Sequence, residues 1–163
     1  MKNVVFTCDG KVVRGEAVIT QFGIEGSGVY PLSSAIRSAL QKNRKAILSV
    51  DLKPGLTKEQ CIAQLTIKGG LTIKDVLEKK IKLSNTALQL IKLSTSKEEY
   101  QAPALLAERI KNFKITISDL APRDEAISTV GGISFDELTP QLGLKKLPDH
   151  YCIGEMINWD APT

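Results

Sequence analysis

Between Thr57 and Asn112 the apolar residues recur at helical spacing, while the sequence on either side is strand-like. No other feature limits the fold as much. Strands, then helices, then strands describe a β part that is interrupted by a helical part and then resumes. Within the helical stretch, Thr57-x-x-Gln60, Thr72-x-x-Asp75 and Ser96-x-x-Glu99 each have the form of a capping box. In such a box a hydroxyl and a later side chain satisfy backbone N–H groups that the first helical turn leaves unpaired. Ile62 and Leu65 begin one apolar stripe, and Leu88, Ile91, Leu105, Leu106 and Ile110 continue the pattern in later helices. Gly69-Gly70 separates the first helix from the second, and Ser84-Asn85 opens the third.

The flanks have a different grammar. Val4-Val5-Phe6 leads to Asp9-Gly10, a dipeptide suited to a hairpin turn because both positions tolerate positive φ. Lys11-Val12-Val13 and Glu16–Thr20 continue as strands, Val29–Leu40 has helical period, and Ala46–Val50 returns to strand. After the helices, Lys114–Ser118, Ala126–Thr129 and Tyr151–Ile153 are expected strands. The reading is α+β. It divides the chain into a first β part with one helix (1–56), an inserted helical bundle (57–112), a β return (113–148) and a closing segment (149–163). Each part is expected to bury its own apolar faces, so that the β part should fold with the bundle removed.

Charge and cysteine usage narrow the classes of function. Ten Lys or Arg against six Asp or Glu lie between Thr57 and Asn112, so the net charge of +4 belongs to the helical stretch. No apolar run approaches the ~20 residues that cross a bilayer, and no secretory leader is visible, which gives a cytoplasmic expectation with no membrane partner. Cys8, Cys61 and Cys152 are odd in number with no C-x-x-C spacing, which favours reduced thiols over a disulfide framework or a zinc site. With aromatics at 5%, a stacking platform for single-stranded nucleic acid is poorly supplied, and Lys68, Lys74, Lys79, Lys80, Lys82 and Lys92 spread around solvated faces, so nucleic acid is not the expected partner.

The chemistry-bearing patterns sit toward the carboxy end. Gly131-Gly132 after Thr129 can bring backbone close to a flat ligand, with the threonine hydroxyl as donor; a tight turn is the plain alternative. Gly154 allows another close approach, and Glu155 offers a carboxylate acceptor for a ribose or ribityl hydroxyl. Pro162-Thr163 has the form of a helix lead-in, with Thr163 as N-cap. The chain is expected to be the later part of a larger cofactor enzyme, ending before that helix. Gly23-x-x-Gly26-x-Gly28 with Asp51 downstream imitates a dinucleotide fingerprint, but Pro31 occupies the third glycine position and a hairpin precedes the strand, so a flexible crossing into a helix is the better reading. His150, the single histidine, reads as a solvated turn residue, and Cys152 as core.

The run Ala121–Ile133, the Gly154-Glu155 loop, Asp160-Ala-Pro-Thr163 and the segment Gly15–Gly26 together resemble the BaiN-type family of NAD(P)/FAD-dependent oxidoreductases, over roughly Gly15 to Thr163. In that family an FAD-binding domain is interrupted by a β-barrel domain that itself carries a helical insertion. The resemblance implies a β-barrel-like subdomain with an inserted small helical bundle, and makes 149–163 the returning edge of a truncated FAD-binding domain. It also implies that Thr129, Gly131, Gly132, Gly154 and Glu155 lie near the flavin, with Thr163 leading into a helix that faces the isoalloxazine. It implies FAD as the parent protein's cofactor, NAD(P)H as reductant, and the FAD-binding domain of the same protein as partner. This flavoprotein fragment is expected neither to retain FAD nor to be active by itself. No residue is an expected acid-base catalyst and none an expected metal ligand. The contrasting reading is a self-contained binding module whose basic helical face recognises an acidic partner or nucleic acid.

Overall fold

The structure, a computed structural model, describes residues 1–66 and 69–160. Two compact units divide the chain, Met1–Ser118 and Asp119–Thr163.

In the first unit, β1 (Val4–Cys8) and β2 (Lys11–Gly15) form the expected hairpin, paired from Val4↔Gly15 to Cys8↔Lys11. Asp9 and Gly10 both take positive φ, 47° and 79°, as a tight two-residue turn between twisted strands requires. Alternate residues of β1 turn inward, so Val4, Phe6 and Cys8 are buried. A second, two-stranded hairpin joins β3 (Val18–Ile19) to β4 (Ile24–Glu25). The strand expected over Glu16–Thr20 is thus only two residues long.

A 3-10 turn (Tyr30–Leu32) runs into α1 (Ser33–Asn43), which buries Leu32 and Ile36. Arg44 ends it at φ 56°, its N–H reaching Leu40 O at 2.8 Å. β5 (Ala46–Asp51) then lies antiparallel to β1, and β6 (Phe113–Ile117) antiparallel to β5, giving the order β2-β1-β5-β6. Among the described residues no pairing joins β2 to β6, so the sheet is open within this chain.

Among the described residues the remaining α-helices lie between β5 and β6: α2 (Lys58–Thr66), α3 (Ile73–Asp75), α4 (Asn85–Ser94), α5 (Lys97–Gln101) and α6 (Pro103–Lys111). The three capping boxes form. Thr57 and Gln60, Thr72 and Asp75, and Ser96 and Glu99 exchange hydrogen bonds in both directions. Ser84 caps α4 through Ala87 N–H. α3 continues as a π-helical turn, Val76–Lys80, in which Ile81 N–H reaches Val76 O at 2.9 Å. The physical reason lies in the spacing of buried residues. Val76, Leu77 and Ile81 all belong to the core, and a wider turn brings positions five apart onto one side, which an α-turn does not.

Sheet and helices share one hydrophobic cluster. Phe6, Leu48, Val50 and Phe113 of the sheet belong to it, as do Cys61, Leu65, Ile91, Leu106 and Ile110 of the helices. The expectation that each part buries its own apolar faces is therefore corrected. The most buried strands and helices cover each other, and each large side chain so buried contributes about 1.5–3 kcal/mol. The α+β class itself stands.

The second unit has little regular structure. Its described residues hold three 3-10 turns, Arg123–Glu125, Phe135–Glu137 and Gly154–Met156, and isolated bridges at Ile133↔Ile157, Leu138↔Leu144 and Gly143↔Tyr151. Its core is Leu138, Cys152 and Ile157, flanked by Ile133, Leu142 and Leu144. The strands expected at Ala126–Thr129 and Tyr151–Ile153 do not form. Ala126–Thr129 is exposed throughout and has no ladder partner, and Tyr151 makes a single bridge while only Cys152 turns inward.

Candidate functional site

Thr129, Gly131, Gly132, Gly154 and Glu155 come together in the second unit through one pairing of two segments. Gly131 N–H donates to Ile157 O (3.1 Å), Ile133 N–H to Met156 O (3.2 Å) and Asn158 N–H to Ile133 O (2.8 Å). This parallel contact places the Thr129 hydroxyl where it donates to Glu155 Oε2 at 2.7 Å. Both residues are exposed, so the carboxylate keeps acceptor capacity toward solvent.

The three glycines have different tasks. A Cβ on Gly131 would stand 2.0 Å from Met156 O and 2.5 Å from Glu155 O, so this glycine is required by the chain's own second segment. Gly154 has φ +62° and opens the 3-10 turn that presents Glu155, a conformation that favours glycine whatever its surroundings. Gly132 meets nothing within 4 Å of its would-be Cβ and faces open space. A flat ligand could therefore approach backbone at Gly132 and Gly154, whereas Gly131 is already covered. Thr163 lies outside the described residues, as does Lys68.

His150 and Cys152 flank this site without joining it. His150 is exposed, its Nδ1 2.9 Å from Pro148 O, and Cys152 is buried in the small core. Among the described residues no three His, Cys, Asp or Glu side chains are grouped as metal ligands.

The fingerprint-like glycines of the first unit serve packing. Gly28 N–H donates to Glu16 O (2.9 Å), and a Cβ there would stand 2.4 Å from the Phe6 ring. A Cβ on Gly15 would meet Gly28 Cα at 2.6 Å. Gly26, at φ +124°, gives its carbonyl to Val29 and Tyr30 N–H, so the amides that would cradle a phosphate are used within the chain. Asp51 is likewise engaged, paired with Lys111 Nζ at 2.6 Å and accepting from Lys53 N–H at 2.9 Å. The carboxylate that imitates a ribose ligand in the sequence instead ties the end of β5 to the end of α6. Sequence reasoning missed Gly15 as the partner of Gly28 in this crossing; the available signal was a further glycine just before Glu16, opposite the cluster.

The model of the HI0933-like protein barrel and H2TH domain matches residues 1–128. The chain belongs to that family. The HI0933-like family is associated with FAD-dependent oxidoreductases, which relates this chain to flavoproteins. The match takes in the four-stranded sheet and all the helices α1 to α6, and it ends one residue before Thr129. No curated protein matches the chain. No helix among the described residues is long and apolar enough to cross a membrane.

Proposed function

We propose that this HI0933-like chain forms the barrel and helical part of a BaiN-type FAD-dependent oxidoreductase, together with an edge of its flavin site. The observation that carries the proposal is the Thr129–Glu155 hydrogen bond beside the open backbone of Gly132 and Gly154, in a chain whose family is associated with flavoproteins. The residues fit such a group. Glu155 would accept from a ribityl or ribose hydroxyl, held in orientation by Thr129, while Gly132 and Gly154 would let the ligand lie close to the main chain. When bound, FAD supplies the hydride-accepting ring, and the protein's contribution is binding, orientation and electrostatics. NAD(P)H is the proposed reductant, and an FAD-binding domain of the same protein is the proposed partner of the second unit. That unit exposes Ile127, Tyr151, Ile153 and Trp159, each more than half accessible, an apolar surface suited to being covered.

The test is the FAD dissociation constant of the enzyme containing this chain, followed by flavin fluorescence. A carboxylate hydrogen-bonded to a ligand contributes about 1.5–3 kcal/mol, so Glu155→Ala should weaken FAD binding by roughly one to two powers of ten. Asp51→Ala, which removes the pair with Lys111, should leave the flavin constant of the folded enzyme unchanged. Flavin lost from the Asp51 variant and kept by the Glu155 variant would reject the proposed loop.

A further inference from the structure

The helices of the first unit form a cleft of about 450 Å³ that none of the flavin-directed residues lines. That volume falls in the range of small-molecule sites, roughly 300–1,000 Å³. One wall is α4, whose Asn85, Leu88, Gln89 and Lys92 recur at i, i+3, i+4 and i+7 and so share a face, turned away from the buried Ala87 and Ile91. The second wall is the π-helical turn, through Lys74 before it and Glu78 within it. The third is α5, which brings Lys97 and Tyr100.

Charge and chemistry select the ligand. Three lysines line the cleft with one carboxylate, and Glu78 Oε1 lies 3.6 Å from Lys74 Nζ. Among the described residues Lys92 and Lys97 have no carboxylate partner. Three separate ammonium groups without an arginine suit a phosphoryl group, which accepts point-charge donors from several directions; a planar carboxylate is better matched by the fork of arginine. Burial and the neighbouring Glu78 push the Tyr100 phenol up, so it stays a neutral donor near pH 7. The lysines line one cleft from three separate elements instead of tracking a groove, which fits a small molecule better than a nucleic-acid strand.

We propose that this cleft binds a phosphorylated small molecule, with its phosphoryl group on Lys74, Lys92 and Lys97, its polar body on the carboxamides of Asn85 and Gln89, and an apolar portion against Leu88 and Tyr100. The cleft shares no residue with the proposed flavin edge around Glu155 and differs from it in chemistry.

The experiment titrates the full chain with phenyl phosphate, inorganic pyrophosphate and sulfate at low salt, by calorimetry and by backbone amide NMR. Phenyl phosphate is expected to saturate one site with a dissociation constant below about 1 mM and to shift amides mainly between residues 74 and 100. Sulfate should bind at least about tenfold more weakly, since it lacks the apolar portion and the hydrogen-bonding body. Lys92→Gln with Lys97→Gln should weaken phenyl phosphate by about tenfold or more, whereas Lys11→Gln with Lys45→Gln, outside the cleft, should leave it unchanged. All four lysines are exposed, and unchanged thermal transitions would show that both double variants fold. Non-saturable binding, equal affinity for sulfate, or an equal loss in the control variant would overturn the proposal. So would saturable binding of a single-stranded oligonucleotide with phenyl phosphate silent.

Discussion

Gly131 and Gly132 are neighbours in sequence with opposite physical constraints, and substitution separates them. Alanine at 131 drives its Cβ into the Met156 carbonyl, a backbone group that cannot rotate away. Overpacking of this kind costs about 1–3 kcal/mol, a large burden for a unit whose core is three residues. Gly131→Ala should therefore collapse the dispersion of amide NMR signals from residues 129 to 158, while Gly132→Ala should leave them in place and change stability by no more than about 0.5 kcal/mol. The sequence made both glycines look alike because adjacency says nothing of what each one faces. It did show which five residues to compare, since Glu155 directly follows Gly154 and Thr129 is separated by one residue from the Gly131-Gly132 pair. The hydrogen bond between them depends on the Ile133–Ile157 bridge, which no local pattern announces.

At the scale of elements, the helical boundaries were the most legible part of the sequence, because a cap is local chemistry. The boxes at Thr57, Thr72 and Ser96 needed only side chains three residues apart. The π-turn was not legible, for its cause is the shared burial of Val76 and Ile81 in a core assembled from distant strands. The caps and ion pairs also make the helical part acid-sensitive. Hydrogen bonds from Lys79 and then Thr72 hold the Asp75 carboxyl down to about 2. The Ser96 backbone N–H and then Arg109 lower Glu99, and Lys58 and then Asn112 lower Glu108. A carboxyl depressed in the folded state stabilises it fully above its unfolded pKa, near 4, and the contribution is lost as pH falls through the folded value. The thermal midpoint of the helical circular dichroism signal should fall steadily between pH 5 and about 2. Asp75→Asn should lower the midpoint at neutral pH and flatten part of that acid dependence.

For the whole molecule, the shared core decides what can be removed. Leu48 and Val50 lie in the same cluster as Leu65, Leu106 and Ile110, so replacing residues 57–112 by a short Gly-Ser linker would leave only α1 and its preceding turn over the sheet's buried face. The shortened chain should show no cooperative thermal transition, and a sharp transition with β-type dichroism would show that the sheet is self-sufficient. The order of strands and helices was readable from periodicity alone. The merging of their apolar faces was not, because an amphipathic stripe does not name the surface that it covers.

The pairing of β5 with β6 also sets the order of events in folding. Val50 meets Phe113 directly, although the whole of α2 to α6 lies between them in the chain. Closing so long a loop from the unfolded ensemble is entropically slow, and contacts of high sequence separation retard two-state folding. Helices that form first shorten the effective path, so β6 should dock last, onto a sheet edge already backed by packed helices. The kinetic test is Ser84→Ala, which removes the cap on α4 at a cost of about 1 kcal/mol. If α4 forms before β6 docks, most of that loss appears as a folding rate lowered by up to about fivefold, with unfolding almost unchanged. A variant that mainly unfolds faster would place the helices after the strand. In that event the long excursion between β5 and β6 would impose its full closure delay on every molecule that folds.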